Sequence, residues 1–227
     1  VSRPTRHRLA VAALVLVGSA FGQARAASLV SCVDLAKGET PACSDFGACG
    51  YDLTKRRFAL ILGNTSYRHL TPLKTTADDA QEFGDILARD HGYTVRCILN
   101  ASKAEASTQI TLAEAAIKQL AANARDNPDK ARFILYFAGH GFDQSDSSNG
   151  YLVPVDAPSG PQLRSGSIKV DDLVSGFMTA SIVHPFIIID ACKAPTVTDL
   201  PTPRAAMKRM SKRGPASIQR GYAPVFA

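Results

Sequence analysis

Phe133-Ile134-Leu135-Tyr136-Phe137-Ala138-Gly139-His140-Gly141 and, further on, Pro185-Phe186-Ile187-Ile188-Ile189-Asp190-Ala191-Cys192 decide the fold. Each is a short apolar run rich in β-branched or aromatic residues, too short for an ordinary helix, and so reads as a buried parallel strand. One run delivers a histidine and the other a cysteine. In open α/β sheets, ligands collect beyond the carboxyl ends of the strands. If these two strands are neighbours, His140 and Cys192 emerge together, as a Cys-His nucleophile pair requires.

Working outward, apolar runs alternate with helical patterns. Arg57 to Leu62 reads as a first strand ending at the turn Gly63-Asn64. Ala77 to His91 reads as a helix, with Ala80, Phe83, Ile86 and Leu87 at helical spacing and Asp78 and Asp79 in the first turn, where the dipole favours acids. Gly92 stops it, and Tyr93 to Leu99 is a second strand. Asn100 or Ser102 can cap the next helix, which carries Ile110, Leu112, Ala116, Ile117 and Leu120 and breaks at Asn127-Pro128. Arg132 to Ala138 is strand three. Phe142 to Ser167 is loop-rich around Tyr151-Leu152-Val153-Pro154, Val170 to Met178 is a short helix, and Pro185 to Ile189 is strand four. The alternation predicts a three-layer α/β domain: a mostly parallel sheet, right-handed crossovers, helices on both faces.

The ends of the chain read differently. Arg3, Arg6, His7 and Arg8 precede an apolar stretch from Leu9 to Phe21, and Ala24-Arg25-Ala26 supplies a small-x-small cleavage pattern. Residues 1–26 thus read as a signal peptide cleaved after Ala26, giving a periplasmic or secreted protein. The stretch is shorter than the roughly 18 residues of a spanning helix, which disfavours an uncleaved anchor. Polar Gln23 and Arg25 separate Leu29-Val30-Ser31-Cys32 from the apolar stretch and disfavour lipidation. An initial valine fits a GTG start codon and a bacterial source.

Of the five cysteines, Cys32, Cys43 and Cys49 lie in an N-terminal arm over residues 27–56 and Cys97 closes the second strand. In an oxidising compartment these four form disulfides in one of three pairings, leaving Cys192 as the odd thiol. Their spacing matches no zinc pattern, so no metal is expected. Four of the 26 Lys and Arg leave with the signal, so the mature chain has 22 against 20 acids. The excess lies in residues 195–227, at Arg204, Lys208, Arg209, Lys212, Arg213 and Arg220. That stretch lacks the aromatic interleaving of a single-strand binder and reads as a solvated flexible tail. No nucleic-acid partner and no stable membrane insertion are expected.

A histidine beside a cysteine can generate its thiolate and then protonate a leaving amine. Gly139 and Gly141 flank His140, so the backbone there can turn sharply and come close to a substrate. Tyr136-Phe137-Ala138-Gly139-His140-Gly141 and Ile189-Asp190-Ala191-Cys192 resemble the two signature segments of caspase-like cysteine peptidases, above all the bacterial caspase-like and metacaspase proteins. Ala59 to Asn64 with Tyr67, Leu73 through Asp78-Asp79-Ala80, and Tyr151 to Ala157 resemble further segments of that family. The likeness covers about residues 57–194, the large-subunit portion.

The resemblance implies roles. Cys192 attacks the scissile carbonyl, His140 moves the protons, and the backbone N–H groups of Gly141 and Cys192 hold the oxyanion. Asp190 and Asp79 match acidic positions of the metacaspase S1 pocket, implying cleavage of peptide bonds after Arg or Lys. Lys74 nearby would weaken that preference. No cofactor is implied, since no acidic cluster able to bind calcium follows the cysteine. Lys193-Ala194-Pro195 departs from the Ser-Gly or Arg-Asn usual there. Only Gly214 to Ala227 can supply a strand beyond Cys192, so the sheet is expected to lack the last strands of the small subunit, leaving an edge for a protein partner. The expected function is an exported cysteine endopeptidase acting on protein or peptide. The alternative is a catalytically incomplete relative serving as a binding module.

Overall fold

A computed structural model describes residues 30–40, 56–123, 131–143, 146–147, 149–179, 185–194 and 224–226. Residues 1–26, read above as a signal peptide, Cys43, Cys49, the Asn127-Pro128 break and the basic stretch 195–220 lie outside the described residues. The elements are β1 (Val33–Asp34), β2 (Arg57–Gly63), α1 (Thr76–His91), β3 (Thr94–Leu99), α2 (Lys103–Asn123), β4 (Arg132–Phe142), β5 (Tyr151–Leu152), α3 (Leu163–Gly166), β6 (Ile168–Lys169), α4 (Val170–Thr179), β7 (Pro185–Ala194) and β8 (Pro224–Phe226).

The parallel pairs run in the order β1-β3-β2-β4-β7-β8, while β5 and β6 add a short antiparallel extension beyond the end of β2. The strands are apolar on both faces because helices cover both, as in other parallel sheets. Phe58, Leu60 and Leu62 of β2 and Phe133, Leu135 and Phe137 of β4 pack with Ile110, Ile117 and Leu120 of α2 and Leu173 and Phe177 of α4. The alternate residues Ala59, Ile61, Ile134 and Tyr136 meet Ala80, Phe83 and Leu87 of α1. This is the expected three-layer α/β domain. Leu60 is wholly buried, so truncating it to alanine would cost about 2–5 kcal/mol.

Helix ends follow from local chemistry. Gly92 takes φ 65° to close α1, a left-handed conformation open to glycine at little cost. Ser102, not Asn100, caps α2: its N–H and hydroxyl both reach Glu105 Oε2 (2.8 and 2.6 Å), and its Oγ accepts from the Glu105 N–H (3.3 Å). That is a capping box.

Two expectations change. Strand four was expected to leave a bare edge, but β8 pairs in parallel with Ile187 to Ile189 of β7. And the Gly-His-Gly segment does not turn. β4 continues through it to Phe142 and β7 continues to Ala194, paired residue for residue from Phe133↔Pro185 to Phe142↔Ala194. Neither Gly139 nor Gly141 has positive φ. Pairing on both sides of β4, to β7 and to β5, overrides the breaking tendency of glycine.

Candidate active site

β2 and β4 are neighbours, yet the chain leaves β2 for β3 on one side and reaches β4 on the other. Such a reversal opens a crevice at the carboxyl ends of the two strands. The site is built there, from the loop after β2 and the last residues of β4 and β7.

The parallel register sets His140 opposite Cys192. Neighbouring strands lie about 4.8 Å apart, so the two residues predicted as a nucleophile pair are adjacent at the backbone. Gly141 falls between Leu152 of β5 and Lys193 of β7.

The loop from Asn64 to Thr75 holds His140. The Tyr67 hydroxyl accepts the His140 backbone N–H at 2.7 Å and donates to Val153 O at 3.3 Å. Its ring lies against the imidazole, centroids 4.5 Å apart and tilted by 50°. Burial raises the Tyr67 phenol well above its usual range, so the hydroxyl keeps the proton it donates. Gly139 permits this approach: a Cβ there would stand 2.6 Å from Tyr67 Oη and 2.8 Å from Phe137 Cζ.

The imidazole Nε2 lies 2.8 Å from Thr71 O. A carbonyl only accepts, so Nε2 carries the proton and Nδ1 is left with its lone pair. Burial lowers the His140 pKa, opposed by the bond to Thr71; only 8% of the residue is exposed. Desolvation disfavours the imidazolium, so at neutral pH the ring is an uncharged base.

The loop is itself pinned. Asn64 N–H continues the β2–β4 pairing to Ala138 O (2.8 Å), Arg68 N–H reaches Val155 O (2.8 Å), and Leu73 N–H reaches Thr65 O (3.0 Å). Leu70 and Leu73 pack beneath it with Tyr67, Phe142, Tyr151 and Val153. Asn100, left-handed at φ 58°, accepts the N–H groups of Thr65 (2.9 Å) and Ser66 (2.8 Å) on its Oδ1.

Asp190 bonds Tyr136, and the charge of Asp79 acts more weakly on the same ring. Tyr136 donates to Asp190 Oδ2 at 3.1 Å. Its phenol is raised above its usual range first by burial, then by the charge and hydrogen bond of Asp190, and last by the charge of Asp79. Phe83 of α1 stacks on the same ring at 4.4 Å. The two predicted S1 acids therefore act within electrostatic reach of one point. Sequence reasoning missed the Thr71 carbonyl, the Asn100 brace and the work of Tyr67. The one signal for them was the glycine before His140, which announces a close approach without saying of what.

Among the described residues, no three or more His, Cys, Asp or Glu are grouped to hold a metal, and no helix is long and apolar enough to cross a membrane.

The caspase domain family matches residues 56–220. Metacaspase-3 of Arabidopsis thaliana is 28% identical over 134 residues, covering 57% of this chain and 37% of that protein. The chain thus spans little more than a third of the length of that curated relative. Among solved structures, the Drosophila initiator caspase Dronc superposes with a TM-score of 0.44 and 11% identity, over 61% of this chain and 50% of that one.

Proposed function

This chain belongs to the caspase domain family, and from that premise we propose that it is an exported cysteine endopeptidase with Cys192 as nucleophile and His140 as general base and acid. The observation that carries the proposal is the register of β4 and β7, which sets His140 against Cys192 at the crevice where α/β sheets bind ligands.

The chemistry follows from the histidine's geometry. Nε2–H is committed to Thr71 O, so Nδ1 takes the proton of the Cys192 thiol. The thiolate attacks the peptide carbonyl carbon and forms the C–S bond. The tetrahedral oxyanion collapses, the C–N bond breaks, and the imidazolium returns its proton to the leaving amine. Water, deprotonated by the same Nδ1, then hydrolyses the thioester and frees the thiol.

Gly141 and Cys192 N–H groups would hold the oxyanion. Val153 N–H donates to His140 O, which makes Gly141 and Leu152 a non-hydrogen-bonded pair and turns the Gly141 N–H toward β7. Substrate must therefore loosen the 192–194 end of β7 to reach it.

A preference for Arg or Lys at P1 is supported by the two carboxylates, Asp190 and Asp79, that act on Tyr136. A cation placed there gains charge-assisted bonds in a half-buried setting.

Hydrolysis of fluorogenic peptides with P1 Arg, Lys or Asp tests both parts, with Cys192→Ala as control. Cleavage after Arg or Lys that vanishes in the variant is the expected result. Cleavage that survives the variant would remove Cys192 as nucleophile. Cleavage after Asp at an equal or faster rate would remove the pocket assignment.

A further inference from the structure

The residues that brace the site do not stop at the matched domain. β1 lies in the N-terminal arm, before residue 56 where the family match begins, and it pairs with β3 through Val33↔Ile98 and Asp34↔Leu99. A disulfide joins Cys32 to Cys97 with Cα atoms 4.5 Å apart. Val30 packs under α1, where its N–H donates to Asp85 at 2.9 Å and its carbonyl accepts from Gln81 at 2.5 Å. The arm is thus fastened to α1 and to β3 over Val30 to Asp34.

Asp34 is 9% exposed, and its Oδ1 accepts the Asn100 amide Nδ2–H at 2.7 Å. The same oxygen accepts the Ala36 N–H at 3.1 Å, and Lys37 Nζ stands 3.4 Å from Oδ2. The Asn100 amide is therefore gripped at both ends. Nitrogen goes to the arm, and oxygen goes to Thr65 and Ser66, one residue before Tyr67, whose hydroxyl holds the His140 N–H. An amide held at one end only can rotate about its last torsion, which is soft. Asp34 removes that freedom.

We propose that Asp34 is a positioning residue for His140, acting through Asn100 and Tyr67, so that the N-terminal arm is part of the catalytic apparatus rather than a leader to it. The proposal rests on the peptidase reading for its kinetic consequence, and on the hydrogen bonds alone for its structural one. Loss of the Asp34 carboxylate lets the Asn100 amide turn, slackens the turn at Thr65-Ser66, and shifts Tyr67 and the histidine it holds. A misplacement of about 1 Å at a catalytic group can cost on the order of a hundredfold in rate.

The test compares Asp34→Ala, Asn100→Gly, Tyr67→Phe and the Asp34→Ala/Tyr67→Phe double variant in the full chain. Asn100→Gly tolerates the left-handed backbone and deletes the side chain that carries the amide, so it carries the test if Asp34→Ala fails to fold. Each single variant is expected to lower kcat about tenfold with KM unchanged, the mark of misplaced machinery rather than lost binding. The double variant should fall no further than the worse single one, because both act on one chain of contacts. In 1H–15N spectra the His140 amide signal should move in every variant. Unchanged kcat, a rise in KM alone, effects that multiply, or a still His140 amide would each overturn the proposal. If the wild-type chain cleaves nothing, the peptidase reading fails by itself. The His140 amide then decides the coupling: movement in Asn100→Gly supports it, and no movement refutes it.

Discussion

Replacing Gly139 by alanine puts one methyl group into the tightest contact of the site. The new Cβ would lie 2.6 Å from Tyr67 Oη, 2.8 Å from Phe137 Cζ and 3.1 Å from Phe137 Cε1. The Phe137 ring is 2% exposed and locked in the core beneath α2 and α4, so it yields little. Overpacking of this kind costs about 1–3 kcal/mol. The softer response is for Tyr67 to withdraw, which orphans the buried His140 N–H at about 1–3 kcal/mol more. Against this stands about 0.4–1 kcal/mol gained by restricting the unfolded chain, since Gly139 has no positive φ to lose. The net expectation is near 3 kcal/mol of destabilisation. For a chain of this size it lowers the thermal midpoint by roughly 6–12 °C, and peptide cleavage falls with it.

Tyr67→Phe isolates the cause. It removes the atom that the alanine strikes first, but leaves the Phe137 contact and still forfeits the hydrogen bond to His140. Denaturant unfolding of both single variants and the double variant closes a cycle. The double variant should be more stable than the sum of the singles predicts by about 1–3 kcal/mol, because the same hydrogen bond is lost only once. Additive losses would refute the claim that Gly139 exists to admit Tyr67. A Gly139→Ala variant within about 0.5 kcal/mol of wild type would refute the packing argument behind it.

Three further outcomes are expected. The paired change Cys32→Ser/Cys97→Ser opens a cross-link spanning 65 residues and should cost about 2–4 kcal/mol in unfolding free energy; an unchanged denaturation midpoint would mean the cross-link contributes nothing to stability. Ser102→Ala deletes half of the capping box on α2 and should cost about 1 kcal/mol by the same measurement, while Ser102→Asn should cost less. His140 has a folded pKa below its unfolded value of about 6.5, so between the two the unfolded chain binds more protons and stability falls as pH drops. The stability of wild type relative to His140→Asn should therefore rise from pH 5 to about 7 and then level off, and parallel pH profiles would show that the imidazole is not desolvated.

The frame was legible because parallel strands announce themselves. Phe133 to Phe137 and Phe186 to Ile189 are apolar on both sides for the reason the sheet needs them to be, and α1 carries its own start and stop in Asp78, Asp79 and Gly92. That His140 and Cys192 would stand side by side in the sheet was legible from their positions at the ends of those runs. The strand limits were not. Glycine on either side of His140 reads as a break, and only the presence of partners on both edges of β4 carries the strand through. Nor was the brace. The bonds from His140 to Tyr67 and from Asn100 to Asp34 join residues 73 and 66 positions apart, with no periodicity to betray them. The choice of Cys97 as partner for Cys32 depends on β1 lying beside β3, a tertiary fact that counting cysteines cannot supply.

The sulfur chemistry of this molecule places two opposite demands on one solution. Cys32 and Cys97 must stay oxidised to each other to fasten the arm, while a nucleophile at Cys192 must stay reduced to work. A reductant added to keep the second sulfur free also attacks the first pair, and it does so through Cys32, the half-buried partner, since Cys97 is 2% exposed and access governs such exchange. Activity should accordingly pass through a maximum as reductant is raised, with too little leaving the nucleophile capped and too much releasing the arm. The width of that maximum measures how far apart the two thiol couples lie in potential, and so how tightly the fold defends the Cys32–Cys97 cross-link against the reductant that a Cys192 nucleophile would need.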